Sequence, residues 1–450
     1  IDASPPGTVI ELWAGTYTGA GNRELDFGGK SLVLRSRSRN PEDCIIDLQG
    51  SSSAPRRFIR FHSGEGRDAV VEGFTVRNGY RWDGGAITCT DVPCSPTIRD
   101  CIFEYNHSTD DGGALHFSHG SAPRVEGCVV RHNTAADLGG GIHAVSAAPE
   151  IVGCVIRENA AANDGGGLSI EGGSMGEISA CSIHGNTAAN LAGGLMLRGG
   201  SAPAVRFCTI TANEAGADGG GVCAHSGVQA TLESCTIAGN AAPLTGGLRL
   251  SGSNCAVSLS HTIIAFSPSG AAVGCVAGQV ELACCDLYGN AGGDYTGCAA
   301  GYAGIAGNFS ANPLFCGLAQ GDCTLNEDSP CVGGPCGQVG AQGVGCAGSA
   351  VGEETSAGPL APALRVARNP GAGRVSLWLD LPGSGPATLT VLDVGGRIVR
   401  RLAGGDWLAG RHALTWDGRD DAGRPVGPGL YFLRLDGPGP SAGARALLLR

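Results

Sequence analysis

A repeat of about 27 residues runs through the middle of this chain, which is typical of a fold built by stacking one small unit many times. Six cysteines mark successive copies at a nearly constant interval, and an asparagine follows each of them five positions later. The pairs are Cys101 and Asn106, Cys128 and Asn133, Cys154 and Asn159, Cys181 and Asn186, Cys208 and Asn213, and Cys235 and Asn240. A short unit without helical periodicity cannot bury its apolar face alone, so successive copies must stack.

Each repeat contains three short strand-like pieces separated by turns. In one copy, apolar and polar residues alternate in Leu168-Ser169-Ile170 and in Cys181-Ser182-Ile183, and Ile178 lies between polar neighbours. A glycine pair, which permits a sharp turn or a close approach of two backbones, precedes the first piece. The sequence therefore predicts an all-β fold, a right-handed parallel β-helix in which every strand pairs with its equivalent one coil away.

Stacking places equivalent residues about 4.8 Å apart along the axis. That spacing exceeds the Cβ separation of about 3.8 Å in a disulfide, and free cysteine packs as a small apolar side chain. We therefore expect the repeated cysteines to form a buried packing column rather than a thiol relay or a metal site. The repeated asparagines carry a donor and an acceptor each, and we expect them to form a ladder of amide hydrogen bonds.

The repeats resemble those of right-handed parallel β-helix proteins with the pectin-lyase-like fold, and in particular the repeats of chlamydial polymorphic outer-membrane proteins. The paired GGAI and FxxN motifs of that group are matched by Gly84-Gly85-Ala86-Ile87 and by Phe103-Glu104-Tyr105-Asn106. The resemblance implies a fold rather than an activity. It also implies an N-terminal cap helix, of which Ile1-Asp2-Ala3 resembles the last turn, so we expect a β-helix over residues 1–346 with a truncated cap.

Cysteines crowd together between residues 275 and 346. They are Cys275, Cys284, Cys285, Cys298, Cys316, Cys323, Cys331, Cys336 and Cys346. Their irregular spacing favours disulfides that close the far end of the β-helix, although it does not give the pairing. Zinc is the alternative, but the spacings lack the tight pairs and the following histidine of a typical zinc site. A Gly/Ala/Ser-rich stretch over residues 347–360 is predicted to be a linker.

Residues 361–450 follow a different pattern, with alternating strands and a turn at Gly395-Gly396 that predict a small β-sandwich. The stretch Trp416-Asp417-Gly418-Arg419-Asp420, followed by Tyr431-Phe432-Leu433, resembles the Ig-like domain of flagellar hook assembly proteins and of type IX secretion sorting domains. This resemblance implies an export, sorting or attachment module, with export machinery as a partner, in a Gram-negative-type bacterium. The protein is then extracellular or bound to the cell surface.

Charge and hydropathy exclude two classes of partner. The net charge is −11, and Lys30 is the only lysine, so no basic face for nucleic acid is expected. No run of 18 or more apolar residues occurs, so no membrane-spanning segment is expected either. No cofactor is required by any motif in the chain.

Two columns of polar residues are the candidate sites. Asp83, Asp110, Asp137 and Asp164 recur at the interval of the repeat, and Asp218 stands two intervals after Asp164. Stacked carboxylates repel one another unless they are solvated or bridged by a cation, and Ca²⁺ accepts such ligands. The alternative is that each aspartate accepts hydrogen bonds from backbone N–H groups of its glycine-rich turn.

The second column consists of the outward residues after the glycines: Thr88, His116, His143, Ser169, Met196, Cys223 and Arg249. His116 and His143 occupy adjacent coils, and with Asp110 and Asp137 they are the best candidates for ligand binding, acid–base work or a metal. We expect both histidines to be exposed, and exposed histidines are more often simply part of a solvated face. Outward aromatic residues such as Tyr80, Trp82 and Tyr105 occur only near the first coils.

These features favour a secreted or cell-surface protein with a binding, adhesive or structural role, whose partner is an extracellular glycan or another surface component. No catalytic residue is assigned. The alternative is a polysaccharide lyase or glycoside hydrolase that acts on the outer face near Asp110, His116, Asp137 and His143.

Overall fold

The chain forms two compact units, Ile1–Gly348 and Ser349–Arg450. The computed structural model describes residues 1–347, 363–366, 371–372, 375–381, 385–393, 395–407, 410–427, 429–436 and 442–449. The linker predicted at residues 347–360 lies outside the described residues from residue 348 onward.

The first unit is a right-handed parallel β-helix of about ten turns, which confirms the predicted fold class. Every strand of its three sheets pairs in parallel with strands of the neighbouring coils. The first sheet contains Val9–Leu12, Val33–Ser36, Val70–Glu72, Thr97–Arg99, Arg124–Glu126, Glu150–Val152, Glu177–Ser179, Ala204–Arg206, Gln229–Glu233, Ala256–Ser260 and Gln279–Ala283. The second contains Gly15–Tyr17, Cys44–Asp47, Thr75–Arg77, Ile102–Glu104, Val129–Arg131, Val155–Arg157, Ser182–His184, Thr209–Thr211, Thr236–Ala238, Ile263–Ala265 and Asp286–Tyr288.

The third sheet carries the candidate site and has two strand segments in most coils. One set of strands carries the column that contains the histidines: Ile59–Phe61, Ile87–Cys89, Leu115–Phe117, Ile142–Val145, Leu168–Glu171, Leu195–Arg198, Val222–His225, Ala241–Ser251 and Ser269–Cys275. The other set is shorter: Tyr80–Arg81, His107–Ser108, Thr134–Ala135, Ala160–Ala161, Thr187–Ala188 and Glu214–Ala215. The segment between the two sets turns back over the outer face of the sheet.

The core lies between the three sheets because apolar side chains alternate with polar ones along each strand. In Glu177–Ser179, for example, only Ile178 is fully buried. The six repeated cysteines are buried, and each is a free thiol, as expected for a packing column.

The asparagines of the repeat form the predicted ladder along the axis. The amide Nδ2 of each donates to the Oδ1 of the next at 2.9–3.0 Å, from Asn106 through Asn240. The same Oδ1 atoms accept the backbone N–H of the previous asparagine at 2.9–3.0 Å. All six side chains are buried, so the ladder satisfies polar groups that have no access to water.

At the N-terminal end, residues 1–8 contain a turn, in which Ser4 N–H donates to Ile1 O at 3.1 Å, and no helix. The assignment of Ile1-Asp2-Ala3 to a truncated cap stays a prediction. At the other end, disulfides join Cys275 to Cys298, Cys284 to Cys336, and Cys316 to Cys346. The remaining three cysteines of that group, Cys285, Cys323 and Cys331, are free and buried.

The segment that carries these disulfides includes the strands Phe315–Gly317, Asp322–Asn326 and Val344–Cys346. The 3₁₀ helices of the first unit are Ala20–Asn22, Gly297–Tyr302 and Leu318–Gln320. Within the described part of the chain, no helix has the length and apolar character needed to cross a membrane.

The second unit consists of two sheets. Ala363–Val366, Val375–Leu381 and Gly410–Trp416 form one, and Gly371–Ala372, Ala442–Leu449, Gly429–Asp436, Gly385–Leu392 and Ile398–Trp407 form the other. Pairing is antiparallel apart from the short Gly371–Ala372 strand. Trp416 is fully buried in the core, where its ring lies 4.9 Å from Tyr431, and its Nε1 donates to Arg419 O at 2.9 Å.

Candidate functional site

The column of residues after the glycines has the predicted register. Thr88 pairs with His116, His116 with His143, and the pairing continues through Ser169, Met196 and Cys223 to Arg249. The pairing also extends one coil earlier, where Arg60 lies beside Thr88. These side chains point away from the central core, because their strand neighbours, such as Leu115 and Phe117, fill it.

The expectation that His116 and His143 are exposed is wrong: only 5% and 1% of their surfaces are accessible. The segment before each strand folds back over the column at a glycine with positive φ, which is +65° at Gly112 and +63° at Gly139. A Cβ atom at these two positions would lie 3.2 Å from His116 Cβ and 3.0 Å from His143 Cβ. The glycines therefore allow the backbone to cover the two rings closely.

The two histidines contact each other and a set of carboxylates. Their Nδ1 atoms lie 3.2 Å apart, and Nε2 of His143 lies 3.0 Å from Glu171 Oε1. Asp111 Oδ2 is 3.5 Å from His143 Nδ1, and Asp83 Oδ1 is 3.8 Å from His116 Nδ1. Burial, with the charge of His143 as a smaller cause, holds the pKa of His116 well below its ordinary value.

Arginines complete this buried layer on the later coils. Burial alone would raise the pKa of Glu171, but hydrogen bonds from His143 and Arg198 lower it to about 2. Arg198 also lies 3.2 Å from Asp164, and Arg249 lies 3.0 Å from Asp218. These two aspartates therefore already have cationic partners.

The predicted single column of aspartates is wrong, because the structure separates it into two adjacent rows. Asp164 pairs with Leu138, and Asp218 pairs with Leu191, so these four residues share one row, the inner row. Each stands just before a residue with positive φ, which is Ala192 after Leu191 and a glycine after the other three. Asp83 and Asp111 stand in the same place, before Gly84 and Gly112. Asp110 and Asp137 precede that position by one residue and form the outer row, in which Asp137 N–H donates to Asp110 O at 2.9 Å.

Small differences in coil length explain this register. The coil between Asp83 and Asp111 is one residue longer than the usual repeat, and the coil between Leu138 and Asp164 is one residue shorter. Counting in steps of 27 residues from Asp83 therefore reaches the outer row at Asp110 and Asp137 and returns to the inner row at Asp164. Asp110 and Asp137 consequently form neither a hydrogen bond nor an ion pair with His116 or His143 among the described residues. Asp111 and Glu171 take the places beside the histidines that the sequence pattern assigned to Asp110 and Asp137.

Most inner-row aspartates accept hydrogen bonds from backbone N–H groups, which is the alternative to calcium binding that the sequence left open. Leu138 N–H donates to Asp111 at 2.9 Å, Leu191 N–H to Asp164 at 2.9 Å, and Gly219 N–H to Asp218 at 2.9 Å. In the outer row, Asn163 Nδ2 donates to Asp137 at 2.9 Å.

Two groups of side chains could nevertheless hold a metal ion. The ligand atoms of Asp83, Asp110 and Asp111 lie within 4.8 Å of one another, and so do those of Asp111, His143 and Glu171. Burial, and then the neighbouring carboxylate of Asp110, raises the pKa of Asp83; burial raises that of Asp111 to about 6. The first group suits a hard cation such as Ca²⁺, whereas in the second His143 and Arg198 already neutralise Glu171.

An open groove of about 550 Å³ adjoins the histidine pair at the earlier coils. Its walls include two aromatic residues and a group of charged and hydroxyl side chains. They are Pro55, Arg57, Arg60, Tyr80, Arg81, Trp82, Asp83, Thr88, Thr90, Asp91 and Thr109. Trp82 is 66% exposed, and Asp83 connects the groove to His116.

The arginines of this groove were not among the residues that the sequence pattern singled out. Arg60 could have been found, since it occupies the histidine column one coil before Thr88. Arg57 gives no such signal, because it precedes the regular repeat. The outward aromatics Tyr80 and Trp82 were the only hint of a binding surface here.

Two family models match the chain. The family model described as "Right handed beta helix region" matches residues 52–189 and 151–310, and the one described as "FlgD Ig-like domain" matches residues 367–437. No curated protein matches the chain. One similar solved structure is a mannuronic acid specific polysaccharide family 6 lyase from human gut microbiota, at 13% identity and a TM-score of 0.23, covering 71% of this chain and 88% of that chain.

Proposed function

Since the chain belongs to the right-handed β-helix family, we propose that it is an exported binding protein that holds an extracellular glycan in the groove beside Asp83 and Trp82. The observation that carries this proposal is the composition of the groove. The ring of Trp82 is 66% exposed, next to Tyr80, and hydroxyl and charged groups surround both. Aromatic faces contact the apolar faces of sugar rings, and the polar groups bind their hydroxyls.

A glycan array probed with the native protein and with Trp82→Ala tests this proposal. We expect binding to a subset of glycans that Trp82→Ala loses at unchanged melting temperature, because an exposed side chain contributes little to stability. Trp13→Ala is the matched control, since Trp13 is 65% exposed and lies outside the groove, under Arg37. Absence of binding to every glycan, or equal binding by both variants, would refute the proposal.

Cleavage of a polysaccharide is less well supported than binding. A general acid or base must lie within hydrogen-bond reach of its substrate, and His116 and His143 are covered by backbone. We therefore propose that the two histidines support the wall of the groove through Asp83. Assays for absorbance at 235 nm and for reducing ends, on uronate and neutral glycans, should stay at background. Activity that His116→Ala or Asp137→Ala abolishes would favour the lyase or hydrolase instead.

We propose that Asp83, Asp110 and Asp111 supply carboxylate ligands to a calcium ion, since their ligand atoms lie close together. Among the described residues, His116 and His143 are the only cationic groups within ion-pair distance of these carboxylates. Asp164 and Asp218 are not proposed as ligands, since Arg198 and Arg249 neutralise them. Titration of Ca²⁺ into EDTA-treated protein should release or absorb heat and raise the melting temperature, and Asp110→Asn should abolish both effects. Asp137→Asn is the control. No heat with the native protein would remove calcium from the proposal.

The location of the protein is inferred from two features. Three disulfides close the β-helix, and disulfides persist in oxidising compartments. The FlgD Ig-like match supports an export, sorting or attachment role for residues 361–450, with export machinery of a Gram-negative-type bacterium as the partner. Deletion of those residues should trap the protein inside its own cells or release it from their surface. An unchanged distribution between cells and medium would contradict this role.

A further inference from the structure

Arg57 is a nearly buried cation for which the described residues offer no ion-pair partner. Arg57 is only 8% exposed, and its Nε atom is buried and has no hydrogen-bond partner among the described residues. Among the described residues, no carboxylate lies within ion-pair distance of its guanidinium. Burial lowers the pKa of Arg57 to about 10, so the group is still charged at neutral pH. A buried charge without a partner is costly, and such a group is typical of a site that a ligand completes.

The other two arginines of the groove are already neutralised by this chain. Arg60 forms an ion pair with Asp91, and Arg81 lies 2.9 Å from Glu24. The remaining carboxylate in the wall, Asp83, contacts His116 rather than Arg57. Arg57 is therefore the arginine of the groove wall that no carboxylate of the described residues contacts.

A second polar group in the wall also lacks a partner. Thr88 is 1% exposed, and its buried hydroxyl forms no hydrogen bond with any described residue. Arg57 and Thr88 both line the groove, so a buried guanidinium nitrogen and a buried hydroxyl without hydrogen-bond partners among the described residues belong to the same site. An anion with further oxygen atoms beside it would satisfy both.

We propose that Arg57 binds a single acidic group, a carboxylate or a sulfate, on one sugar unit of the glycan in this groove. The inference rests on the proposed function. Tyr80 and Trp82 suit the rest of the sugar chain, whereas Asp83 and Asp91 would repel the closely spaced phosphates of a nucleic acid. The net charge of −11 acts in the same direction.

Calorimetric titration with matched tetrasaccharides tests the inference. The probes are a tetrasaccharide of galacturonic acid, its methyl ester and a sulfated galactose tetrasaccharide. We expect the acid to bind at least tenfold more tightly than the ester, because a hydrogen bond to a charged group is lost in the ester. Arg57→Gln should bind the acid and the ester equally, at the native affinity for the ester. Arg206→Gln, which removes an arginine outside the groove that is paired with Glu233, should behave as the native protein.

The outcomes separate this inference from the proposed function. Equal binding of acid and ester by the native protein, or undiminished binding of the acid by Arg57→Gln, overturns the role of Arg57 while glycan binding itself stands. Failure of every tetrasaccharide and of the glycan array refutes the proposed function. Tighter binding of the sulfated probe, with the same dependence on Arg57, supports the inference and identifies sulfate as the acidic group. If Arg57→Gln does not fold, the comparison of acid and ester on native protein decides.

Discussion

The Nδ1 atoms of His116 and His143 face each other at 3.2 Å across two adjacent coils, and both rings are buried. In such a contact one nitrogen donates its proton and the other accepts it. A second proton would place two donors face to face beneath a covering backbone. The pair is therefore sensitive to acid, although Glu171 and Asp111 stabilise a positive charge on His143.

When His116 is replaced by asparagine, the free energy of unfolding should fall less steeply as the pH is lowered. The pKa of His116 is lowered in the folded protein, so the unfolded chain binds more protons below pH 6.5 and stability falls with pH, by at most about 1.4 kcal/mol per pH unit for one proton. Urea unfolding at pH 8, 6.5 and 5 measures the slope. His132→Asn, at a partly exposed histidine, is the control. Equal slopes for native protein and His116→Asn would contradict this account.

The amide ladder makes a strong prediction at Asn159. Its Oδ1 accepts both the backbone N–H and the Nδ2 of Asn133 at 3.0 Å, and its Nδ2 donates to Asn186 and Val130. Asn159→Ala leaves buried donors without acceptors and should cost about 3 kcal/mol of unfolding free energy. Asn190→Ala removes an exposed amide and should cost less than about 1 kcal/mol. Similar decreases in the free energy of unfolding for the two variants would show that the ladder stabilises the fold no more than an exposed amide does.

Thiol titration should distinguish the packing column from the closing disulfides. The structure contains 14 free cysteines, all buried, and three disulfides. Ellman's reagent should therefore detect almost no thiol in the native protein, 14 after unfolding without reductant, and 20 after reduction. Peptide mapping then checks the three pairs. Rapid reaction of native protein, or 20 thiols without reductant, would be inconsistent with this assignment.

Asp286 should make the closing end of the β-helix more stable in mild acid. The residue is fully buried, and burial raises its pKa to about 7. Burial disfavours the ionised carboxylate in the folded protein. The contribution of Asp286 to the free energy of unfolding therefore falls as the pH rises from about 4 to about 7 and is constant above that range. The free energy of unfolding of Asp286→Asn should therefore exceed that of the native protein by on the order of 4 kcal/mol at pH 8 and by almost nothing at pH 4. Chemical unfolding at the two pH values provides the test, and Asp328→Asn, at an exposed aspartate of the same closing segment, is the control. A difference that does not vary with pH would argue against this cause.

Periodicity made the fold predictable, because stacking repeats the same contact at each coil. The roles of Asn159 and Cys181 follow from a single repeat, and the structure confirms both. The burial of His116 was not predictable in this way, since it depends on a positive φ at Gly112 that folds backbone over the ring. Arg57 lies in the irregular opening coils, where no repeated neighbour indicates which way a side chain points.

The two rows of aspartates were misjudged for a related reason. Counting from one aspartate to the next assumes coils of equal length, whereas the structural marker is the residue with positive φ that follows each inner-row position. It is a glycine after every aspartate of that row and Ala192 after Leu191. Measured from that glycine, Asp111 and Asp164 belong together, and Asp110 and Asp137 stand one place earlier.

This arrangement separates the chemistry of the surface from the construction of the core. The covering segment leaves and rejoins the third sheet at fixed positions. A carboxylate at the inner row contacts the histidine layer, whereas a carboxylate one residue earlier in the sequence faces solvent. The ladder and the cysteine column beneath are unaffected by this difference. A protein built in this way can acquire a new recognition surface by single substitutions in one coil, while the neighbouring coils keep the old one.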